Sequence, residues 1–317
     1  MSPIHRSPKD KNKEKLMKTP QMDTLIDFPF DDKKFEVTDE MKKCFDEQGY
    51  LLLRGLLSPE ELKKVRNVLE NTDMIKKHGY GIPDASGRMP RMVLWRAPGS
   101  DVTGMICRCE KVVTTSEKLL GGEVYHYSSK VVMKDPMVGG RQEWHQDYGY
   151  WYKNGLLYPD ALSVFIPVDR CNKSNGCLQI LPGSHVCGRI EHGMVAGQTG
   201  ADLERVKQLE QKLPKHYVEM EAGDALFFHS NVLHCSDPND SPNRRWAFIM
   251  AYNMATNDPV ESLAAPFPRY TKLEKVPNSA ILECTNETDF SGKDFLDPTE
   301  DKTVKADLSR PTNATKA

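Results

Sequence analysis

What this chain lacks narrows its class before any motif is read. No apolar run in its 317 residues approaches the roughly 20 residues that span a bilayer. No hydrophobic stretch of the signal-peptide kind opens it, so the eight cysteines are expected as reduced thiols in a cytoplasmic protein. The formal charge is only −2, from 43 basic and 45 acidic residues, so no field of one sign invites nucleic acid or a membrane surface. Cys107 and Cys109 form C-x-C without a second pair, too little for a zinc site. No repeat is visible, and the final Thr315-Lys316-Ala317 is not the S-K-L of a peroxisomal address. The N-x-S/T matches at Asn286 and Asn313 are expected to be chance.

Apolar periodicity is also missing at both ends. Residues 1–22 are rich in Lys and Pro, and 286–317 in Asp, Lys, Thr and Pro. Such compositions bury too little surface to offset the entropy of ordering, so both are expected as tails around one domain, residues 23–285. A single all-β domain of that size is ordinary.

Within the domain, residues 40–48 read as a short helix leading into a strand at 50–53. Ser58, Pro59 and Glu61 then make a capping-box start for a helix to about Asn71. From Val124 the pattern changes to strands at 124–133, 161–168, 177–181, 217–219, 225–229 and 247–252. Each is short, rich in β-branched or aromatic residues and bounded by Gly, Pro or Asn. One helical insertion is expected over 200–212. Many short strands at this spacing predict a mainly β chain: a double-stranded β-helix, the jelly roll of cupins, flanked by N-terminal helices.

Two stretches carry chemistry. Trp144-His145-Gln146-Asp147-Tyr148 and Val232-Leu233-His234-Cys235-Ser236 together supply two imidazoles and a carboxylate, the ligand set of mononuclear non-haem Fe(II) oxygenases, which leaves coordination positions open. Side chains at i and i+2 of a strand share a face, so His145 and Asp147 can grip one ion if they lie on a strand or its end. His185 and His229 are rival ligands. Eleven residues after His234 comes Arg245, and Ser236 lies two after it; a guanidinium fork and a hydroxyl suit a carboxylate. Arg244 competes with Arg245, but adjacent strand residues face opposite ways, so only one can point inward.

Here the chain resembles the phytanoyl-CoA dioxygenase family of 2-oxoglutarate-dependent oxygenases, from about Phe45 to Tyr252. Besides the residues above, Asn175-Gly176-Cys177-Leu178 with Leu181-Pro182-Gly183-Ser184-His185 is similar to its N-G-x-L-x-x-x-P-G-S-H stretch, and Ala222-Gly223-Asp224 to its turn before the distal histidine. Gly49 to Gly55 followed by Ser58-Pro59-Glu60-Glu61 looks like its opening strand and helix. Ectoine hydroxylase is the member most alike in look. The resemblance implies Fe(II) on His145, Asp147 and His234, with 2-oxoglutarate and O2 as co-substrates. It implies Arg245 and Ser236 on the distal carboxylate of 2-oxoglutarate and Ser128 in the co-substrate pocket, on a strand with Lys130 that closes its far end. The spacing from His229 to Arg245 does not match the family, which favours His234.

The expected reaction is hydroxylation of a small molecule, with succinate and CO2 as co-products. The alternatives are a Zn(II) cupin-type hydrolase or isomerase, which would leave Arg245 and Ser236 without a purpose, and a non-catalytic binding protein. A halogenase would lack the carboxylate that Asp147 provides. Tyr148, Tyr150 and Trp151 are candidate substrate contacts, because aromatic faces attract ammonium groups. A compact cationic or zwitterionic substrate is therefore expected rather than an acyl-CoA. Cys235, beside the distal histidine, is read as a small packed residue with an oxidation-sensitive thiol as the alternative. The oligomeric state is not legible.

Overall fold

The computed structural model describes residues 24–264 and 266–299; the expected N-terminal tail lies outside them. Helix α1 (Asp39–Gln48) is capped by Thr38, whose side chain accepts from Met41 N–H, and ends at Gly49 in the left-handed region. It turns directly into strand β2 (Tyr50–Arg54), which pairs with the short β1 (Asp27–Pro29). The capping box predicted for α2 (Pro59–Asn71) is present: Ser58 Oγ accepts from Glu61 N–H, and the Glu61 carboxylate accepts from Ser58 N–H. Glu61 also receives the buried ammonium of Lys111 at 2.7 Å, tying α2 to α5 below.

Residues 72–122, for which the sequence pattern predicts no element, hold several before the main strands. They are α3 (Met74–His78), an edge hairpin of β3 (Tyr80–Gly81) and β4 (Arg91–Trp95), then α4 (Val102–Arg108) and α5 (Glu110–Leu120). The run Val112-Val113-Thr114-Thr115 in α5 is β-prone by composition. Burial decides otherwise: Val112, Val113 and Leu119 face the core, and Thr115 and Ser116 satisfy their hydroxyls on the carbonyls four residues back.

The strands that follow are β5 (Val124–Lys134), β6 (Gln142–His145), β7 (Ala161–Pro167), β8 (Leu178–Ile180), β9 (His192–Val195), β10 (Gln198–Ala201), β11 (His216–Val218), β12 (Ala225–His229), β13 (His234–Ser236) and β14 (Arg245–Met254). Two main sheets result, eight strands in the order β1-β2-β12-β7-β14-β5-β4-β3 and four in the order β11-β8-β13-β6, and β9 and β10 form a separate two-stranded antiparallel sheet. Apart from β1 with β2, every pairing is antiparallel. This is the jelly roll expected from the strand spacing. The core on the large sheet is filled by side chains such as Trp95, Phe227, Phe248 and Tyr252, all fully buried.

The helical insertion is shorter than expected, α7 (Leu203–Glu210), because Asp202 caps it. Gly200, read as its start, instead pairs with Gly193 in the β9–β10 hairpin. Past α8 (Glu261–Ala264) and α9 (Ala280–Glu283), the expected tail boundary at 286 needs correction. Arg96 N–H donates to Asp294 O, Phe295 bridges Trp95, and Leu296 is buried. Lys293 sits in a fully buried ion pair with Asp101 at 2.9 Å, over the Trp95 ring. A polar composition hid this strap because two aliphatic or aromatic anchors and one paired lysine suffice to hold it.

Candidate active site

Strands β6 and β13 are antiparallel neighbours, and their register sets His145 opposite His234. The two imidazole centroids lie 4.1 Å apart. Strand β6 ends at His145, and Asp147 opens the short helix α6 (Asp147–Trp151), so the carboxylate reaches the histidines from a helix start rather than from the strand itself. Asp147 Oδ1 lies 3.9 Å from His145 Nε2 and 4.0 Å from His234 Nε2. All three residues are buried. They form the one His/Cys/Asp/Glu group of this kind among the described residues, with ligand atoms within 4.8 Å of one another.

The surroundings fix these donors for a metal. His145 Nδ1–H donates to Glu143 O at 2.8 Å and His234 Nδ1–H to Val232 O at 2.9 Å, so each ring turns a bare Nε2 toward the centre. Burial, and for His145 also the neighbouring His234, pushes both imidazoles below their ordinary pKa and keeps them neutral. Burial opposes the ionisation of Asp147, but Lys130, the two histidines and the Ser163 hydroxyl outweigh it and hold the carboxyl below its usual range. Ser163 Oγ donates to Asp147 Oδ2 at 2.5 Å, leaving Oδ1 for the ion. Ligands at about 2.1 Å from one ion stand roughly 3.0 to 3.4 Å apart, so closure asks each side chain to move inward by a fraction of an ångström. The residues fit Fe(II).

Gln146, between the two β6/α6 ligands, acts as a clamp. Its amide donates to Gly188 O and Asn231 O and accepts from Ile190 N–H, so the loop before β13 is tied to the turn that carries Asp147. Gly149 is required beside it, because a Cβ there would collide with the His192 ring. The rival ligands are elsewhere. His185 Nε2–H donates to Asp46 O, and His229 packs on His185 and Phe45.

The triad faces a cavity of about 180 Å³. Strand alternation sends Ser128, Lys130, Val132 and Lys134 of β5 into it, and Arg245, Ile249 and Ala251 of β14. Arg245 is 2% exposed and donates from Nε and Nη2 to Gly176 O at 3.2 and 2.7 Å. Gly176 holds φ +75°, and a Cβ there would collide with Asp237 O. Arg244 turns outward, over the Trp246 ring and paired with Glu70 and Asp169. Ser236 also lines the cavity, and its hydroxyl accepts from Lys134 Nζ at 2.8 Å.

Lys134 is a site residue that the sequence reading missed. Burial and then the Arg245 charge push its ammonium well below the ordinary lysine range, and it also donates to the carbonyls of Ser236 and Asp237. Two buried basic groups side by side with few anions suit a carboxylate. The sequence signal was available: Lys134 stands an even number of residues after Ser128 and Lys130, on the same face of β5.

Of the aromatic candidates, Tyr150 and Trp151 line the cavity. The Tyr150 ring lies edge-on to His145 at 5.5 Å, and its hydroxyl donates to Thr199 O. Tyr148 does not line the cavity; it is buried against Tyr152, because residues two and three apart in a short helix do not all share one face. Cys235 is buried and its thiol pKa is raised by that burial, which favours the packed-residue reading.

A jelly roll whose small sheet presents a buried 2-His-1-carboxylate set beside paired cations is the architecture of the non-haem iron, 2-oxoglutarate-dependent dioxygenases. Residues 45–247 match the family model described as phytanoyl-CoA dioxygenase (PhyH), and the chain belongs to that family. Its curated relatives include L-proline trans-4-hydroxylase of Streptomyces griseoviridis, 29% identical over 72% of this chain and 91% of that protein. Ectoine dioxygenase of Nocardia farcinica is 29% identical over 74% and 84%. Among solved structures, EctD from S. alaskensis with 2-oxoglutarate and 5-hydroxyectoine superposes with a TM-score of 0.61 at 20% identity, over 76% of this chain and 88% of that one. The carbocyclase SnoK superposes at 0.58 and 20%, over 85% and 100%. The protein is a 2-oxoglutarate-dependent dioxygenase that uses Fe(II) and O2. No helix among the described residues is long and apolar enough to cross a membrane.

Proposed function

We propose that the protein hydroxylates a small zwitterionic or cationic molecule, and that His145, Asp147 and His234 hold the iron. The observation that carries this reading is the pairing, in one cavity, of a buried neutral-imidazole triad with the Arg245–Lys134–Ser236 cluster. When bound, Fe(II) with 2-oxoglutarate and O2 supplies an oxidative decarboxylation, giving succinate and CO2, coupled to insertion of oxygen into a substrate C–H bond.

The chain's own residues do the placing. Arg245 and Lys134 neutralise the distal carboxylate of 2-oxoglutarate, with Ser236 as the hydroxyl between them. Gly176 O holds the guanidinium in plane, and its three remaining N–H groups stay available. Lys130, the two histidines and then the Ser163 hydroxyl favour ionised Asp147 against its burial, and the Ser163 hydrogen bond to Oδ2 leaves Oδ1 toward the histidines. Trp151, Tyr150 and Phe267 wall the cavity beyond the metal, where they exclude water and offer ring faces to a cationic group. Relatives named for L-proline and ectoine support a substrate of that size. A hydrolytic cupin would give the buried cations no ligand to hold.

The test is a succinate-release screen with Fe(II) and 2-oxoglutarate over cyclic and open-chain amino acids, betaines and acyl-CoAs. Succinate release stimulated by one of the small compounds is the expected result. Stimulation by an acyl-CoA alone would overturn the substrate class, and absence of 2-oxoglutarate turnover under every condition would overturn the proposal.

A further inference from the structure

Apart from the triad and the Arg245–Lys134 pair, Lys130 is the remaining ionised side chain lining the cavity among the described residues. It lies in the middle of β5, with Leu94 of β4 and Ile249 of β14 as its direct cross-strand neighbours, both also in the cavity wall. It is half-buried. Among the described residues no hydrogen bond or ion pair reaches its Nζ, whereas Lys134, on the same face of the same strand, has three acceptors. Asp147 is within its field but is already engaged by Ser163 and faces the histidines. An ammonium set among aliphatic side chains, with Asp147 in its field but no hydrogen-bonded partner of its own, is a good receptor for an anion.

The co-substrate does not fill that need at both ends. Four residues of strand put Lys130 about 13 Å from Lys134, while the four carbon–carbon bonds of 2-oxoglutarate span only about 5 Å. With its distal carboxylate at Arg245 and Lys134, Lys130 faces the part of the cavity left to the substrate. There the opposite chemistry is present as well, in the rings of Trp151 and Tyr150.

We propose that Lys130 is a specificity residue that binds a carboxylate of the substrate, so the substrate is a compact zwitterion, with its carboxylate on Lys130 and its cationic nitrogen against Trp151 and Tyr150. This rests on the dioxygenase reading above and narrows it: bare amines and amides are excluded. Ser128, which the family resemblance put in the co-substrate pocket, lines the cavity two residues earlier on the same face as Lys130, and the proposal assigns it a second hydrogen bond to the same substrate group.

The experiment compares matched pairs, L-proline against L-prolinamide and ectoine against its carboxamide, for binding to the Fe(II)- and 2-oxoglutarate-loaded protein by calorimetry and for stimulated succinate release. The expected result is that at least one acid binds and is turned over while its amide binds about ten- to a hundredfold more weakly, the range of a charge-assisted hydrogen bond. Lys130→Met should remove the preference and raise the Michaelis constant for the acid by a similar factor, with that for the co-substrate unchanged. Lys130→Arg should retain the preference. Equal behaviour of acid and amide, including no binding of either across the panel, would overturn the inference. So would a Lys130→Met enzyme whose defect lies in its affinity for the co-substrate, which would move Lys130 to the 2-oxoglutarate site. Substrate-independent 2-oxoglutarate turnover by the wild-type enzyme is measured in parallel: if it persists while the acid preference fails, Lys130 is misassigned and the dioxygenase reading stands.

Discussion

Replacing Arg245 by lysine keeps one positive charge and removes the fork. In the folded protein the guanidinium spends two N–H groups on Gly176 O at 3.2 and 2.7 Å, which leaves three for a bound carboxylate. A lysine ammonium at the same place cannot satisfy the carbonyl and present a planar pair of donors together. One charge-assisted hydrogen bond to the co-substrate is then lost, about 1.5–3 kcal/mol, which is roughly a 10- to 150-fold rise in the dissociation constant for 2-oxoglutarate. Lys134 remains, so binding weakens and is not abolished. Burial already lowers the Arg245 pKa, and an ammonium there, next to Lys134, would ionise less readily, adding to the loss. Arg244→Lys is the control. Its side chain is about a third exposed and paired with Glu70 and Asp169, interactions worth about 0–1 kcal/mol and remote from the cavity. Anaerobic calorimetric titration of the Fe(II) protein with 2-oxoglutarate reads both variants directly. A loss of affinity in Arg244→Lys with none in Arg245→Lys would refute the assignment of the inward-facing arginine.

Alanine at His145, Asp147 or His234 should abolish turnover and bring Fe(II) binding below one per chain, as measured by metal analysis after gel filtration, while His229→Ala keeps its iron. Ser163→Ala frees Asp147 Oδ2 from its 2.5 Å hydrogen bond, and Fe(II) affinity should drop about tenfold or more, the usual effect of losing a group that orients a ligand; unchanged affinity would remove Ser163 from the site. Trp151→Leu should raise the substrate KM with little effect on co-substrate binding, because cation–π attraction needs a ring face, whereas Tyr148→Leu should lower the melting temperature and spare the KM. The buried His126 and His192 have pKa values lowered to about 3 and about 4, each mainly by burial. The unfolded chain binds those protons near pH 6.5, so stability is present above that pH and falls as pH drops from about 6.5 to 4. Each contributes a slope of up to about 1.4 kcal/mol per pH unit. Urea unfolding of His126→Gln should show a shallower slope over that window, and an unaltered slope would count against a neutral buried imidazole.

The parts of this molecule that were readable from sequence share one property: their chemistry is local. The capping box at Ser58–Glu61 and the strand at Ala225–His229 appear where expected because a hydroxyl, a proline and an alternation of side chains act over a few residues. His145, Asp147 and His234 were readable for another reason. A metal restricts which side chains can serve, and a three-letter spacing on one strand end with a single distant histidine satisfies few folds. The unreadable parts depend on long-range partners. Lys293, in a polar, tail-like segment, is ordered by Asp101 and Trp95 nearly 200 residues away in sequence, and no window of neighbouring residues contains that information. Helix α5 was hidden by its β-branched run, which is helical because of what it packs against.

The same distinction separates the catalytic class from the substrate. The residues proposed above to hold metal and co-substrate sit on β5, β6, β13, β14 and the start of α6, where the strand register is set by hydrogen bonding along antiparallel pairs, and the placement of Arg245, Lys134 and Ser236 follows once that register is given. The remaining cavity wall comes from elements with little sequence signature: the β3–β4 edge with Tyr80, Ile82, Met92 and Leu94, the β10 residue Thr199, and Phe267 in the segment after α8. These can change residue by residue without disturbing the barrel, because each sits on a sheet edge or a loop and not in the paired core. Membership of one family therefore fixes what is done to oxygen and 2-oxoglutarate and leaves open which C–H bond receives it. On this chain Lys130 is anchored in the fixed geometry of β5 and lines the same cavity, and by the proposal above its charge is the feature of the rigid frame that the substrate must answer.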